Sequence, residues 1–274
     1  MKGRTLLETV ASVAIPFILA GLGGLLSEQT GVLNISLEGC IASGAFFTAL
    51  LITLGVPAPL AVCGALASGA LLGLLLSGIH MGLKANLFIA GMGVNILVPS
   101  LSGLISNGVL GHKGTIRITG DYNLSPFTWL MIPLTLLLTF IIHRSNFGIS
   151  FRAAGVAPRF LSERGISPNR VKTSALSISS AMASLAGAFL AMRIEAYVPG
   201  MSSGRGWIAL VLVWLGFRHP LGILFSAYFF SLIIIISNIT LGNLPFTILK
   251  SLPYIAALTA FIIANARQHS ATKY

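Results

Sequence analysis

Two carboxylates, Glu28 and Glu38, stand close together in the stretch SEQTGVLNISLEG (27–39), in the company of Gly31, Asn34, Ser36 and Gly39. Carboxylates can act as general bases, hold metals, relay protons or satisfy helix ends, and the rest of the chain narrows these uses. The five histidines, His80, His112, His143, His219 and His269, fall in separate stretches. None has metal-ligand spacing with another His, Cys or acid. No Gly-x-Ser-x-Gly elbow and no Ser/His/Asp set can be assembled. A phosphate-cradling G-x-x-x-x-G-K-[ST] loop is also missing, so hydrolysis of ATP in the P-loop manner is not expected of this chain. Cys40 and Cys63 lie in apolar runs without thiol or metal partners nearby and read as small packing residues. Glu28, directly after an apolar run, also reads as a residue at the membrane interface; Glu38, followed by a long uncharged run, is left a structural or solute-facing role.

The elements that position them are set by composition. Of 274 residues, 55% are hydrophobic and 8% charged, whereas soluble domains carry about 25% charged residues. Apolar runs cover 6–26, 35–54, 59–79, 87–105, 127–142, 173–192, 221–241 and 247–264. Each is near the ~20 residues that cross a hydrocarbon core. They lack the alternation of a transmembrane barrel strand. The class is an all-α polytopic membrane protein. The first run exceeds the ~7–15 residues of a signal-peptide core and reads as a mature helix despite Lys2 and Arg4 before it.

The formal net charge is +11. The positive residues flank apolar runs rather than interleave with aromatics, which fits a membrane protein and not a nucleic-acid groove. Segment 143–172 carries Arg144, Arg152, Arg159, Arg164, Arg170 and Lys172 against the single acid Glu163. By the positive-inside bias it is cytoplasmic, and the tail with Arg267 and Lys273 is expected on the same side. Three clear spans between them are an odd number, so a fourth crossing is required. GWIALVLVWLGF (206–217) is the apolar candidate, too short for a full span and therefore broken or re-entrant, with Arg218 and His219 at its cytoplasmic end. About nine crossings result, and the count places the N-terminus outside.

Within this frame the 27–39 stretch reads either as an ordinary short loop at the membrane surface or as a polar break at membrane depth, where polar groups default to function. Gly31 permits a tight bend, and Asn34 or Ser36 suits the N-cap of a new helix. A helix starting inside the membrane offers free N–H groups to a cavity. Asn95, in GMGVNIL, is either a second polar wall or a helix–helix hydrogen bond. The stripes Ala65, Gly69, Gly73, Ser77 and Ser179, Ala183, Gly187, Ala191 recur every four positions and mark close helix packing. Segment 146–172 reads as short helix, break, short helix: Pro158 follows 151–155, Gly165 follows 159–164, and Ser167-Pro168 is a cap and first helical position. Gly165 is expected either at positive φ or at a close backbone approach.

These residues resemble a family. SEQTGVLNISLEG is similar to the signature of permease subunits in bacterial ABC importers of the branched-chain amino acid/ribose type, nearest the branch for nucleosides and simple sugars. FRAAGVAPRFLSERGIS resembles the cytoplasmic loop of that family through Arg152, Ala153, Gly155, Pro158, Gly165 and Ile166. GRGWIALVLVWLGFRHPLG (204–222) resembles its late G-x-G motif followed by P-x-G. Departures are Ala157 for Asn, Phe160-Leu161 for Ala-Ala, and Ser36 for the usual Gly.

The resemblance implies one transmembrane permease domain (1–274) in the bacterial cytoplasmic membrane, with an ATPase-coupling loop at 143–172. It implies a second permease subunit, identical or different, cytoplasmic ABC ATPase subunits that use ATP, and an extracytoplasmic solute-binding protein. The chain itself needs no cofactor or metal and is not an enzyme. The substrate path is assigned to Asn34, Ser36, Glu38, Gly39 and Asn95, and the coupling contact to Arg152, Gly155, Pro158, Gly165 and Ile166. Nucleosides, simple sugars and ring compounds such as riboflavin remain open as the neutral solute. The rival is an ion-coupled secondary transporter with Glu38 or Glu8 as coupling carboxylate. Such folds show paired repeats, and no second copy of the 27–39 break is evident. An amide at Glu38 keeps shape and hydrogen bonding without the charge, so in the ATP-driven case Glu38→Gln is expected to retain substantial uptake.

Overall fold

The computed structural model describes residues 6–111, 114–118, 120, 122 and 124–240. The expected span 247–264 and the basic tail lie outside the described residues.

Six helices are long and apolar enough to cross a membrane. They are α1 (Leu6–Gln29), α3 (Ala58–Ser77, extended by a π turn at Gly78–Gly82), α4 (Leu87–Leu110), α5 (Ser125–Arg144), α8 (Pro168–Ile194) and α10 (Pro220–Thr240). Two apolar helices are shorter: α2 (Leu37–Thr53) and α9 (Arg205–Leu215). At 1.5 Å per residue they rise about 25 and 16 Å, less than the ~30 Å core. Non-helical backbone at 30–36 and 198–204 leads into these two helices. The described residues thus hold six span-length helices and two shorter apolar ones, as an all-α polytopic membrane protein requires. The surface pair α6 (Asn146–Val156) and α7 (Pro158–Glu163) joins α5 to α8. Ile116–Arg117 and Ala196–Tyr197 form a short antiparallel pair, a small β element that the all-α reading did not include.

Helix α8 is the axis of the bundle, sandwiched by α1, α2 and α3. The small-residue stripes make this possible. A Cβ at Gly187 would run into the Ile41 carbonyl of α2, and one at Gly69 or Gly73 into the backbone of α8 around Ser180 and Leu176. In lipid, such close backbone approach supplies the dispersion contacts that apolar burial does not. Cys40 is buried as expected, but Cys63 is exposed on α3. A helix face toward lipid is as apolar as one toward protein, so sequence does not separate the two.

The loop-bearing end collects the C-terminal ends of α1, α5 and α9 and the N-terminal ends of α8 and α10. Ser77 and Thr173 bond across α3 and α8 there, at 2.6 Å, and the rings of His143 and His219 lie 5.1 Å apart between α5 and the α9–α10 turn. Burial and the charge of His143 both push the pKa of His219 down.

Candidate functional site

The starts of the two shorter helices, α2 and α9, meet at Glu38. Its Oε1 accepts the N–H of Gly204 and its Oε2 the N–H of Gly206, each at 2.7 Å. A side chain from the first turn of α2 therefore satisfies the free N–H groups that begin α9, where the helix dipole favours negative charge. The GRG sequence is required by this contact. Gly204 has φ +80°, and a Cβ on Gly206 would strike the backbone of Leu37 and Glu38. Two helix starts touch backbone to backbone, with one carboxylate as their joint.

The break leading into α2 begins later than the sequence suggests, because α1 runs on to Gln29 and takes in Ser27 and Glu28. Thr30–Gly31 turns the chain, with Gly31 at φ +77°. Asn34 then fixes the non-helical leg. Its Nδ2 donates to Ser179 and Ser180 of α8, both at 3.0 Å. Its Oδ1 accepts from the Ser36 N–H at 3.0 Å and the Ser36 hydroxyl at 2.7 Å. Ser36 occupies the N-cap position of α2 but makes no side-chain cap bond. Asn34 and Ser36 are both fully buried, so in this conformation they shape the break from within. Asn95, reaching from α4, accepts the Gly39 N–H at 2.7 Å and donates to the Ile35 carbonyl at 2.9 Å. Of its two readings, the inter-helix hydrogen bond is the one present. Gly39 admits this approach, since a Cβ there would meet the Val94 carbonyl and Asn95.

At the loop-bearing end a second carboxylate holds the other end of α9. Glu28 is ion-paired with Arg218, whose guanidinium lies 4.2 Å from the centre of the Trp214 ring. Phe217 and Arg218 both adopt φ +55°, a conformation that costs a non-glycine residue about 1 kcal/mol or more. Gly216 and Gly222 touch in this turn.

The residues that the resemblance assigns to a coupling contact lie together on α6, α7 and the turn after them. Gly155 of α6 rests on the Thr30–Gly31 turn, with no room for a Cβ against the Gln29 carbonyl. Gly165 is the opposite case: φ +77° with open space around it. Of its two expected roles it has the conformational one, and Gly155 has the close approach. Arg152 is half-buried, Pro158 begins α7, and Ile166 is exposed along with Val156 and Phe160.

Glu28, Arg218, Gly204 and Gly206 belong to the site and were not assigned to it from sequence. The available signals were an acid at the end of an apolar run and a G-x-G at the head of another. Glu8 lies near Arg193 at the far end of the bundle, beside a small crevice, and apart from Glu38. A groove of about 630 Å³ between α2, α3 and α4 is almost wholly apolar. Its serines are engaged internally: Ser43 with Ser68, and Ser102 with Tyr197. No group of three or more metal-ligating side chains occurs among the described residues.

Six span-length apolar helices, with two shorter ones meeting head to head at Glu38, define an integral membrane protein. The comparisons make this specific. The model of the branched-chain amino acid transport system / permease component family matches residues 6–263, and the chain belongs to that family. It is 31% identical to the guanosine ABC transporter permease protein NupQ of Bacillus subtilis, over 91% of this chain and 89% of the relative. A putative glucose ABC transporter permease of Haloferax volcanii is 30% identical, over 83% of this chain and 75% of that one. The nucleoside ABC transporter permease protein NupC of Lactococcus lactis is 25% identical, over 92% and 90%. Among solved structures, PsaBC from Streptococcus pneumoniae in complex with Fab shares the fold, with TM-score 0.57 and 14% identity over 96% of this chain and 91% of that one. The chain is a non-enzymatic permease subunit of an ABC transporter in the cytoplasmic membrane, a class that works with ATPase and binding-protein partners.

Proposed function

We propose that this chain is the permease of an ATP-driven importer for a neutral, ring-bearing small solute, with nucleosides first, then simple sugars and related compounds such as riboflavin. The observation that carries this reading is the junction at Glu38, where two helix starts and two non-helical legs meet inside the membrane. Irregular backbone at that depth is tolerated only in protein or along a water-filled cavity. The names of the NupQ and NupC relatives support the nucleoside class. Glu38, Gly39 and Asn95 hold the junction, and Asn34 and Ser36 brace it from behind.

In this reading 143–172 is the cytoplasmic docking loop. Exposed Val156, Phe160 and Ile166 around Arg152, Pro158 and Gly165 offer an apolar face to an ATPase subunit. ATP is consumed there, on the partner, and a second permease, identical or related, completes the path. An ion-coupled mechanism is disfavoured because both Glu38 oxygens already accept backbone N–H groups, so protonation would sacrifice one of these bonds.

The test is uptake of labelled guanosine in proteoliposomes holding the permease with its ATPase and binding protein. Uptake should require ATP, be competed by other nucleosides, and persist when the proton gradient is collapsed. Loss of uptake on collapse, with ATP held constant, would replace import by ATP with ion coupling.

A further inference from the structure

The polar stretch that breaks the first two spans touches α9 at both of its ends. Glu38 binds the amides of Gly204 and Gly206 where α9 begins, and Glu28 pairs with Arg218 where it finishes. Between the two carboxylates, Gly31 carries the bearing of α6 through Gly155, a contact of backbone on backbone with no side chain to yield. Asn34 fastens the middle of the stretch to Ser179 and Ser180 of α8.

We infer that residues 28–38 are a strap that transmits displacement of the docking loop to α9, and that Glu28 and Arg218 are its positioning pair. This rests on the ATP-driven reading above. A half-helix held at one end only can pivot about that end. Held at both, α9 follows the strap as one body, and the head-to-head junction at Glu38 moves with it. The geometry around Arg218 supports a positioning role. Two successive non-glycine residues take left-handed backbone there, and the guanidinium is steadied over Trp214 while it reaches Glu28. Such strain persists where surrounding contacts over-determine it, as at working sites. Glu28 lies on the last turn of α1, where the helix dipole disfavours an acid, so helix stability alone gives no reason for a carboxylate at that position.

The experiment measures solute moved per ATP hydrolysed in proteoliposomes of the complete transporter. Glu28→Gln and Arg218→Gln should each lower this ratio by about fivefold or more, the low end of typical inter-site coupling, while ATP hydrolysis continues. Arg218→Lys, which keeps the charge, should stay nearer the wild-type ratio than Arg218→Gln. The double exchange Glu28→Arg with Arg218→Glu should recover much of the ratio. An unchanged ratio in the single variants would overturn the inference. So would a parallel fall of hydrolysis and uptake at constant ratio, which would mark the pair as merely structural. If the wild-type complex shows no ATP-dependent uptake, the importer reading falls first and the strap with it.

Discussion

Asn95 binds Gly39 across two helices: its Oδ1 accepts the Gly39 N–H at 2.7 Å. The same amide donates to the Ile35 carbonyl at 2.9 Å, so one side chain from α4 satisfies both sides of the start of α2. Asn95→Ala leaves a donor and an acceptor without partners in a low-dielectric setting, at about 1–3 kcal/mol for each. The purified protein should therefore show a clearly lower melting temperature. Asn95→Asp keeps the acceptor and loses the donor, and should fall between. A variant of full thermal stability but altered solute preference would mean that Asn95 is a wall of the path and not a brace.

The two loop glycines separate conformation from contact. Gly165→Ala meets only the cost of positive φ, about 1–2 kcal/mol, in open space. Gly155→Ala must push α6 off the Gln29 carbonyl. Transport should survive the first substitution largely intact and fail in the second, with both proteins present in the membrane in comparable amounts. Equal uptake by the two would show that the α6–Gly31 contact carries nothing.

Much of this arrangement was legible before the structure, and the reasons for the rest are physical. Hydrophobic length located the spans, and the break between the first two was plain because Glu28, Asn34 and Glu38 cannot sit singly in hydrocarbon. Pro158, Gly165 and Ser167-Pro168 punctuated segment 146–172 where the helices divide. What escaped was pairing across the chain. Glu38 and Gly204 are 166 positions apart, and no local pattern says which N–H groups a carboxylate will meet. The GRG motif carried a signal, yet only the packed structure shows that its first glycine serves φ and its second a close approach. Glu28 was passed over because an acid at the end of a span reads equally well as interfacial.

Orientation is open to direct measurement. Ser162 is exposed on α7, so a single Ser162→Cys change, in a background freed of Cys40 and Cys63, places a thiol on the docking loop. It should react with a membrane-impermeant maleimide in inverted vesicles and stay unlabelled in intact spheroplasts. Labelling from outside would invert the topology and remove the loop from reach of a cytoplasmic ATPase.

Glu38 gives the sharpest test, and the structure alters what is expected of it. An amide was expected to retain substantial uptake, by shape and hydrogen bonding. In the folded protein both oxygens accept N–H groups, from Gly204 and Gly206. Glu38→Gln retains one acceptor and turns an NH₂ group toward the other donor, losing a charge-assisted bond of about 1.5–3 kcal/mol. Glu38→Leu loses both bonds and leaves the start of α9 unsatisfied. Thermal stability and ATP-dependent uptake should fall in the order wild type, Glu38→Gln, Glu38→Leu. Because α9 is displaced rather than a proton site removed, the residual uptake of Glu38→Gln should be as insensitive to a protonophore as that of the wild type. A Glu38→Gln protein of wild-type stability that has lost uptake altogether, beside a wild type that a protonophore stops at constant ATP, would make Glu38 a coupling carboxylate. The paired backbone bonds predict the reverse: stability and transport decline together, and ATP remains the only energy source that matters.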